Sequence, residues 1–336
     1  MRVTISMMKT QMATALAALL SWPIVALAPH VTPVDELSRL AAALGPRTPR
    51  LLMKRDDLLS FACGGNKVRK MQTVAAAALA AGADAIITCG GIQSNHARVT
   101  AATGAALGLR VILVANGTPS STPTGNARLN HLFGAKLRYV LSREERVPAM
   151  DRAAEALRAA GHTPFVVPLG ASTPIGAIGF ARGVAELAAA GIRPDVIVHA
   201  SSSGGTQAGL VAGCALMGSR AQIIGISADE TAAVLTATVT DVLAGVASAL
   251  GARPETIGGD RAIEVDDTQV GDGYGVPTDA STEAATLVAR HEGIVLDPVY
   301  TAKAMAGLIA RVRDGRFHPD QTVLFWHTGG LPGFFA

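Results

Sequence analysis

Short runs of aliphatic and β-branched residues alternate along this chain with alanine-rich stretches, and this alternation limits the folds that are open to it. The aliphatic runs predict strands at 85–88, 110–115, 136–141, 164–169, 195–200, 222–228 and 322–328. The alanine-rich stretches predict helices at 68–82, 95–107, 145–160, 175–190 and 205–217. Strands that alternate with helices form parallel sheets covered by helices on both faces. The sequence therefore predicts an α/β protein, and 336 residues are enough for two domains.

Charge and cysteine content exclude several classes of partner. The formal net charge is only +3 and the basic residues are scattered, so nucleic acid is not an expected partner. Cys63, Cys89 and Cys214 are far apart in sequence and have no metal-ligand spacing, so no metal site is expected. An odd number of separated cysteines is typical of a reducing compartment, and the predicted location is the cytoplasm.

The first 28 residues leave an alternative to that location. They contain an apolar run that resembles a secretory signal, although Pro23 interrupts it, so export is kept as the minority alternative. Other interpretations are a short amphipathic helix followed by an extended segment, or a true start at Met7, Met8 or Met12. No later segment is expected to be long and apolar enough to span a bilayer, and a membrane is not an expected partner.

Lys67 is the first candidate for chemistry. It lies in the segment CGGNKVRK, behind two glycines and at the start of a predicted helix. The following helix N-terminus offers free N–H groups, and a lysine there should be partly shielded from water and near positive potential, which lowers its pKa. A lysine that loses its proton readily can form a Schiff base. From this segment alone, the alternative is a solvated first turn made of Lys67, Arg69 and Lys70.

Two further polar clusters each follow a predicted strand and begin a predicted helix. The segment GIQSNHAR places Ser94 and Asn95 there, where they could simply be N-cap residues. The segment HASSSGGTQAGL offers hydroxyls and backbone N–H groups at 202–206, a suitable cradle for phosphate. Neither the ending of a nucleotide-binding P-loop nor the glycine spacing of a dinucleotide turn is present. A phosphate site without a nucleotide signature, together with a Schiff-base lysine, points to pyridoxal 5′-phosphate.

The order of these motifs resembles the tryptophan-synthase-β-like enzymes, and within them the D-cysteine desulfhydrase and 1-aminocyclopropane-1-carboxylate (ACC) deaminase family. The motifs are KRDD, GGNKVRK, GIQSNHAR, SSSGGT, GYGVPT, LDPVYTAKAMAGL and HTGG. The resemblance implies fold type II: two α/β domains of parallel twisted sheets flanked by helices, with pyridoxal phosphate in the cleft between them. The large domain would comprise 1–67 and 175–336, with 68–174 as the inserted small domain. It also implies a homodimer that acts on a small amino acid.

The resemblance implies roles for individual residues as well. Lys67 matches the lysine that carries the cofactor, Asn95 the partner of the cofactor's phenolic oxygen, and Ser94 a serine close to the substrate. Tyr274 and Tyr300 match two active-site tyrosines. The other expected cofactor contacts are Asn66, Lys70, Ser202, Ser203, Gly204, Gly205, Thr206, Thr301 and Thr328. The turn from Gln93 to His96, which includes Asn95, is expected to hold the substrate carboxylate, and for His96 a purely structural role is equally open.

Two threonines favour one reaction over another. ACC deaminases have glutamate and leucine where this chain has Thr301 and Thr328. A threonine hydroxyl can hydrogen-bond the pyridine nitrogen without fixing a proton on it, and the weaker electron sink suits β-elimination. The predicted reaction converts D-cysteine to pyruvate, sulfide and ammonia, with Lys67 as the default base at Cα and the tyrosines as further candidates. The alternatives are L-cysteate sulfo-lyase, which an additional cation near Ser94 would favour, ACC deaminase, and a non-catalytic protein that binds pyridoxal phosphate or an amino acid.

Overall fold

Two sheets form the framework of the protein. The computed structural model describes residues 2–29, 31–258 and 261–336. The six-stranded sheet has the order β1-β2-β10-β7-β8-β9, and the four-stranded sheet has the order β5-β4-β3-β6. The strands are β1 Val34–Glu36, β2 Arg50–Arg55, β3 Ala85–Gly91, β4 Arg110–Asn116, β5 Lys136–Val140, β6 Pro164–Val167, β7 Val196–Ser201, β8 Gln222–Ser227, β9 Glu264–Asp266 and β10 Thr322–His327. Their pairs are parallel except that β1 runs antiparallel to β2.

Helices surround both sheets. In the described part of the chain they are α1 Arg2–Ser21, α2 Ser38–Leu44, α3 Asn66–Ala80, α4 Asn95–Leu107, α5 Gly125–Leu132, α6 Arg146–Ala159, α7 Pro174–Ala189, α8 Gly205–Leu216, α9 Ala232–Ala249, α10 Asp279–Glu292 and α11 Thr301–Arg313. Each of the seven predicted strands and five predicted helices is present, and the α/β prediction is confirmed. The predicted domain boundaries stay a prediction, although every strand of the four-stranded sheet lies within 85–167.

The strands are buried because helices cover both faces of each sheet. All six residues of β7 are buried, which explains why its sequence is almost continuously apolar instead of alternating. The largest buried side chain is Trp326 in β10, whose ring lies 5.1 Å from that of Phe180 in α7. This packing holds α7 against the six-stranded sheet.

A buried charged cluster fixes the position of α3. Arg69 in α3 donates to Asp56 through Nε (2.8 Å) and Nη2 (2.7 Å), and its Nη1 lies 2.9 Å from Glu186 Oε2 in α7. The indole of Trp326 also donates to Asp56, at 2.7 Å. Burial alone would raise the pKa of Asp56, but Arg69, Trp326 and Lys54 together outweigh it and the pKa is lowered. Removing one partner of such a buried pair typically costs about 3–5 kcal/mol, so the beginning of α3 is firmly anchored.

The N-terminal segment is helical and packed. Ala15 and Leu19 of α1 are buried, and Arg182 Nη1 donates to the carbonyl oxygens of Leu19 (3.0 Å) and Leu20 (2.9 Å). Met1 lies outside the described residues. The cytoplasmic location and its alternative, export, stay predictions.

One expectation about hydrophobicity is wrong. Among the described residues, α9 is long and apolar enough to cross a membrane by length and composition, with a mean hydropathy of 1.6 over 18 residues. A third of that window is buried, and Val239, Leu243 and Val246 pack into the same core cluster as α7 and α8. A helix that covers a core in this way passes the same test as a membrane span.

Candidate active site

A cavity opens between the carboxyl ends of strands from the two sheets. Its wall includes Gly91 at the end of β3, Asn116 at the end of β4, Ser201 at the end of β7 and Thr328 after β10. The empty space between these walls, open solvent included, is about 1050 Å³. Ligands of open α/β sheets bind at this edge.

Most of the predicted site residues meet in this cavity. Twelve of the sixteen line it, namely Asn66, Lys67, Ser94, Asn95, His96, Ser202, Ser203, Gly204, Thr206, Tyr274, Tyr300 and Thr328. Lys70 and Gly205 lie directly behind the wall, and Gln93 and Thr301 are turned away from it. The structure therefore brings together motifs that are separated by more than 200 residues in sequence.

Lys67 lies in the first turn of α3, where two glycines make the close approach possible. Gly64 and Gly65 have φ values of +69° and +99°, and a Cβ on Gly65 would lie 2.8 Å from the carbonyl oxygen of Thr328. The surrounding protein shields the amine from water, and this burial lowers its pKa to about 8. The lowered pKa expected from the sequence is present, although burial is its largest cause. A substantial fraction of the amine is neutral, and so nucleophilic, near physiological pH.

The loop between β7 and α8 is shaped for a phosphate group. Gly204 has a φ of +75°, and a Cβ on Gly205 would lie 2.8 Å from Ser172 Cα, so neither position accepts a larger residue without displacement. Ser203 Oγ and Ser172 Oγ are hydrogen-bonded at 2.7 Å, and Gly205 N donates to Ser172 Oγ at 3.3 Å. Backbone N–H groups and hydroxyls at the start of a helix are the usual ligands of a phosphate.

Lys70 places a buried amine beneath this loop. Its Nζ donates to the carbonyl oxygen of Gly170 (3.2 Å) and to Ser172 Oγ (3.1 Å), which are both neutral acceptors. Burial, and then the charge of Lys67, hold the pKa of Lys70 well below its usual range. A Cβ on Gly205 would be 3.0 Å from Lys70 Nζ, which places the amine immediately behind the cradle. An anionic group in the cradle would favour the protonated form of this amine, and so the residues present fit pyridoxal phosphate.

His96 is anchored and neutral. Thr88 Oγ1 donates its only hydrogen to the carbonyl oxygen of Val167 (2.7 Å), so it must accept from His96 Nε2 at 2.8 Å. Nδ1 is therefore an acceptor, and no group of the described residues donates to it. Burial, and then the charges of the two lysines of α3, lower the pKa of His96 well below its usual value. His96 is thus both a structural anchor and part of the cavity wall.

Tyr274 and Tyr300 form a coupled pair. Their hydroxyls hydrogen-bond each other, and their rings meet edge to face with centroids 5.8 Å apart. Burial raises the pKa of Tyr274; burial and the neighbouring Tyr274 raise the pKa of Tyr300 still further. Both phenols are protonated at neutral pH, and one hydroxyl donates to the other. One phenolic proton is left for a ligand in the cavity.

Two residues predicted to contact the ligands, Thr301 and Gln93, do not line the cavity. Thr301 Oγ1 donates to Asp297 Oδ1 at 2.7 Å and accepts from Asp297 N at 2.8 Å. These hydrogen bonds hold the hydroxyl at the start of α11, and it does not face the cavity. Only Thr328 of the two threonines lines the cavity. Gln93 Oε1 accepts from Asn126 N at 2.8 Å, which anchors the start of α5.

Four charged residues of the cavity wall were not predicted from the sequence. They are Arg143 and Arg146 after β5, and Asp229 and Glu230 after β8. Arg143 spans the cleft, because its guanidinium lies 5.2 Å from the ring centre of Tyr274 and its Nη1 is 3.9 Å from Asp229 Oδ2. Their position just after two predicted strands was the available signal, since the carboxyl ends of parallel strands carry the ligands of such folds.

Comparison with known proteins agrees with this geometry. The model of the pyridoxal-phosphate dependent enzyme family matches residues 25–329. The chain belongs to this family. A D-cysteine desulfhydrase of Klebsiella pneumoniae (strain 342) is 36% identical over 313 residues, which cover 91% of this chain and 93% of the relative. The crystal structure of an ACC deaminase homologue is 34% identical, with a TM-score of 0.88 and 96% of each chain covered.

Solved structures with lower sequence identity show the similarity of the fold. A pyridoxal 5′-phosphate-dependent aspartate racemase is 16% identical, and threonine deaminase isoform 2 from Solanum lycopersicum is 17% identical, each with a TM-score of 0.67. The comparisons confirm fold type II, pyridoxal phosphate as the cofactor, and the resemblance to the D-cysteine desulfhydrase and ACC deaminase family. The protein is a pyridoxal-phosphate dependent enzyme.

Proposed function

We propose that the protein catalyses the α,β-elimination of D-cysteine to pyruvate, sulfide and ammonia. The observation that carries this proposal is that one cavity contains a lysine with a lowered pKa and a hydrogen-bonded pair of protonated phenols. Elimination requires a base for the Cα proton and an acid for the departing sulfur. The D-cysteine desulfhydrase that is 36% identical supports the choice of substrate.

Each bonding change can be assigned to a residue. Lys67 holds the cofactor at rest and, as a free amine during turnover, takes the proton from the substrate Cα. Pyridoxal phosphate, when bound, supplies the electron sink that makes this proton acidic. The Cα–H electrons form the Cα–Cβ double bond while the Cβ–S bond breaks, and the Tyr274–Tyr300 pair donates a proton to the departing sulfur. The released 2-aminoacrylate takes up water and yields pyruvate and ammonia.

The remaining residues orient the ligands. Ser94 caps α4, because its Oγ accepts from Ala97 N at 3.2 Å, and we place the substrate carboxylate at this positive helix end. The loop 202–206 would hold the cofactor phosphate, with Lys70 behind it. The hydroxyl of Thr328 would face the pyridine nitrogen of the cofactor, because the hydroxyl of Thr301 is hydrogen-bonded to Asp297.

A second candidate reaction is the elimination of sulfite from L-cysteate. The observation in its favour is that Arg143 and Arg146 line the cavity, since a sulfonate carries a negative charge that a thiol lacks. Asp229 and Glu230 line the same wall, and Arg143 already approaches Asp229. These carboxylates reduce the net positive charge that a sulfonate would meet, and for this reason D-cysteine is preferred.

The quaternary structure and location are also proposals. A homodimer rests on the family resemblance, and light scattering of the purified protein would test it. The cytoplasmic location rests on three separated cysteines, each of them a free thiol in the described structure.

Product analysis distinguishes the candidate reactions. The purified holoenzyme is incubated separately with D-cysteine, L-cysteine, L-cysteate and ACC, and pyruvate, sulfide, sulfite and 2-oxobutyrate are measured. Pyruvate with sulfide from D-cysteine alone is expected. Sulfite from L-cysteate would select the second candidate, 2-oxobutyrate would indicate an ACC deaminase, and a yellow protein that turns over none of the four would contradict the proposal. Lys67→Ala, which cannot attach the cofactor covalently, is the matched inactive control.

A further inference from the structure

Arg98 is a buried cation that the proposed chemistry does not use. It lies in the first turns of α4 and is fully buried. Its Nη1 donates to Asn95 Oδ1 (2.7 Å) and Asn126 Oδ1 (2.8 Å), and its Nη2 donates to the carbonyl oxygen of Gly64 (2.8 Å). These acceptors are all neutral, and burial lowers the pKa of Arg98 to about 10. An arginine buried without a hydrogen-bonded carboxylate is costly to a fold, so its retention calls for a role.

The direction of each hydrogen bond around Arg98 is determined by its chemistry. A guanidinium has donors only, so both asparagines must present their oxygens to it. The amide nitrogen of Asn126 then faces the other way and donates to Gln93 O (2.8 Å) and to Asn95 Oδ1 (2.9 Å). Asn95 Oδ1 therefore accepts two hydrogen bonds. Among the described residues no group accepts from Asn95 Nδ2, and Asn95 lines the cavity.

We propose that Arg98 is a positioning residue that holds the Asn95 amide with its N–H group toward the cavity, as a donor to an anionic oxygen of the bound cofactor. Its charge polarises the Asn95 amide and strengthens that donor. The contact with Gly64 also connects the start of α4 to the loop that precedes Lys67. The Asn95 amide and the Lys67 amine therefore keep a fixed position relative to each other. The inference rests on the pyridoxal phosphate site and not on the identity of the amino-acid substrate.

The test uses two readouts besides activity: the affinity of the apoprotein for pyridoxal phosphate, and the pH midpoint of the absorbance change of the bound cofactor. Arg98→Met removes donors and charge, so the dissociation constant should rise about 10- to 100-fold, the usual contribution of a hydrogen bond to a charged group. The midpoint should rise by about one unit, because a nearby positive charge no longer disfavours the protonated form. Arg98→Lys keeps the positive charge but loses the planar guanidinium with its several donors. The affinity of this variant for pyridoxal phosphate should fall, and the pH midpoint should shift less than in Arg98→Met.

Thr103→Val is the matched control, because Thr103 is equally buried in α4 and its hydroxyl only donates to Val99 O at 2.7 Å. It should change neither readout. If Arg98→Met does not fold, Asn95→Asp replaces it: the carboxylate keeps its contact with Arg98 but cannot donate to the cavity, so a stable protein with weakened cofactor binding is expected.

Two results would overturn the inference. One is a folded Arg98→Met or Asn95→Asp protein with unchanged affinity and midpoint. The other is an equal change of both readouts in Thr103→Val, which would indicate a general effect of disturbing α4. No amino-acid substrate enters these measurements, so inactivity toward D-cysteine would count against the proposed function and leave the outcome for Arg98 intact.

Discussion

The tyrosine pair gives the sharpest prediction about the chemistry. Tyr274 and Tyr300 share one hydrogen bond and retain one free phenolic proton, which we assign to the departing sulfur. Proton donation by a positioned acid typically accelerates a reaction about 10²- to 10⁴-fold. At 1.36 kcal/mol per tenfold change, this corresponds to about 3–5 kcal/mol of the barrier. Replacing the donating tyrosine by phenylalanine should lower kcat/KM for D-cysteine by that factor, and the double substitution should add little because the two hydroxyls act as a unit.

A substrate whose leaving group needs no proton separates this role from others. Chloride departs without protonation, so kcat/KM for β-chloro-D-alanine should fall less than about tenfold in the same variants. Tyr139→Phe is the control, since the third tyrosine of the chain lies in β5 and outside the cavity wall. Equal losses with both substrates would refute the assignment and would indicate that the tyrosines act on the Cα proton instead.

Three further predictions follow from the site. The pKa of Lys67 is lowered to about 8, and only the neutral amine attacks the cofactor, so the rate at which apoprotein takes up pyridoxal phosphate should rise with pH up to about 8 and then level off; a rise that continues to pH 10 would contradict this. Gly205→Ala should weaken cofactor binding about tenfold or more by equilibrium titration, because the new Cβ would meet neighbouring atoms at 2.8 Å, whereas Gly333→Ala meets nothing within 4 Å and should bind normally. Thr301→Glu should lower the melting temperature instead of creating ACC deaminase activity, because it places a second carboxylate against buried Asp297.

The local sequence predicted the strands whose burial on both faces gives an apolar run. It did not predict strands whose polar residues are buried by contacts with distant parts of the chain. β2 begins and ends with an arginine and contains Lys54, which suggests an exposed segment, yet Lys54 is buried and paired with Glu186 from α7. That partner is 132 residues away, so no local pattern reveals it. β1 and β9 have three residues each, too few for a periodic signal.

The same distinction applies to the site. Motifs located the lysine, the phosphate loop and the tyrosines, because each has a fixed spacing to glycines or to a helix start. Thr301 was predicted to contact the cofactor, but its hydroxyl donates to Asp297, only four residues earlier, and it does not line the cavity. Arg143 was not predicted because its place in the site is set by its contacts with Tyr274 and Asp229, which belong to distant parts of the chain.

The charges around the cavity explain why the site needs its cofactor. Lys67, Lys70 and Arg98 are three basic side chains around the cavity, and the hydrogen-bond acceptors that the structure gives to Lys70 and Arg98 are neutral. Burial lowers the pKa of each of the three. The apoprotein therefore disfavours the charged form of these groups, whereas a ligand with a phosphate and an anionic ring oxygen would supply counter-charges that favour it. Because a ligand that binds only the folded state stabilises it by about 2.7 kcal/mol at 100 times its dissociation constant, cofactor binding and folding stability are coupled through the residues that line and support the cavity.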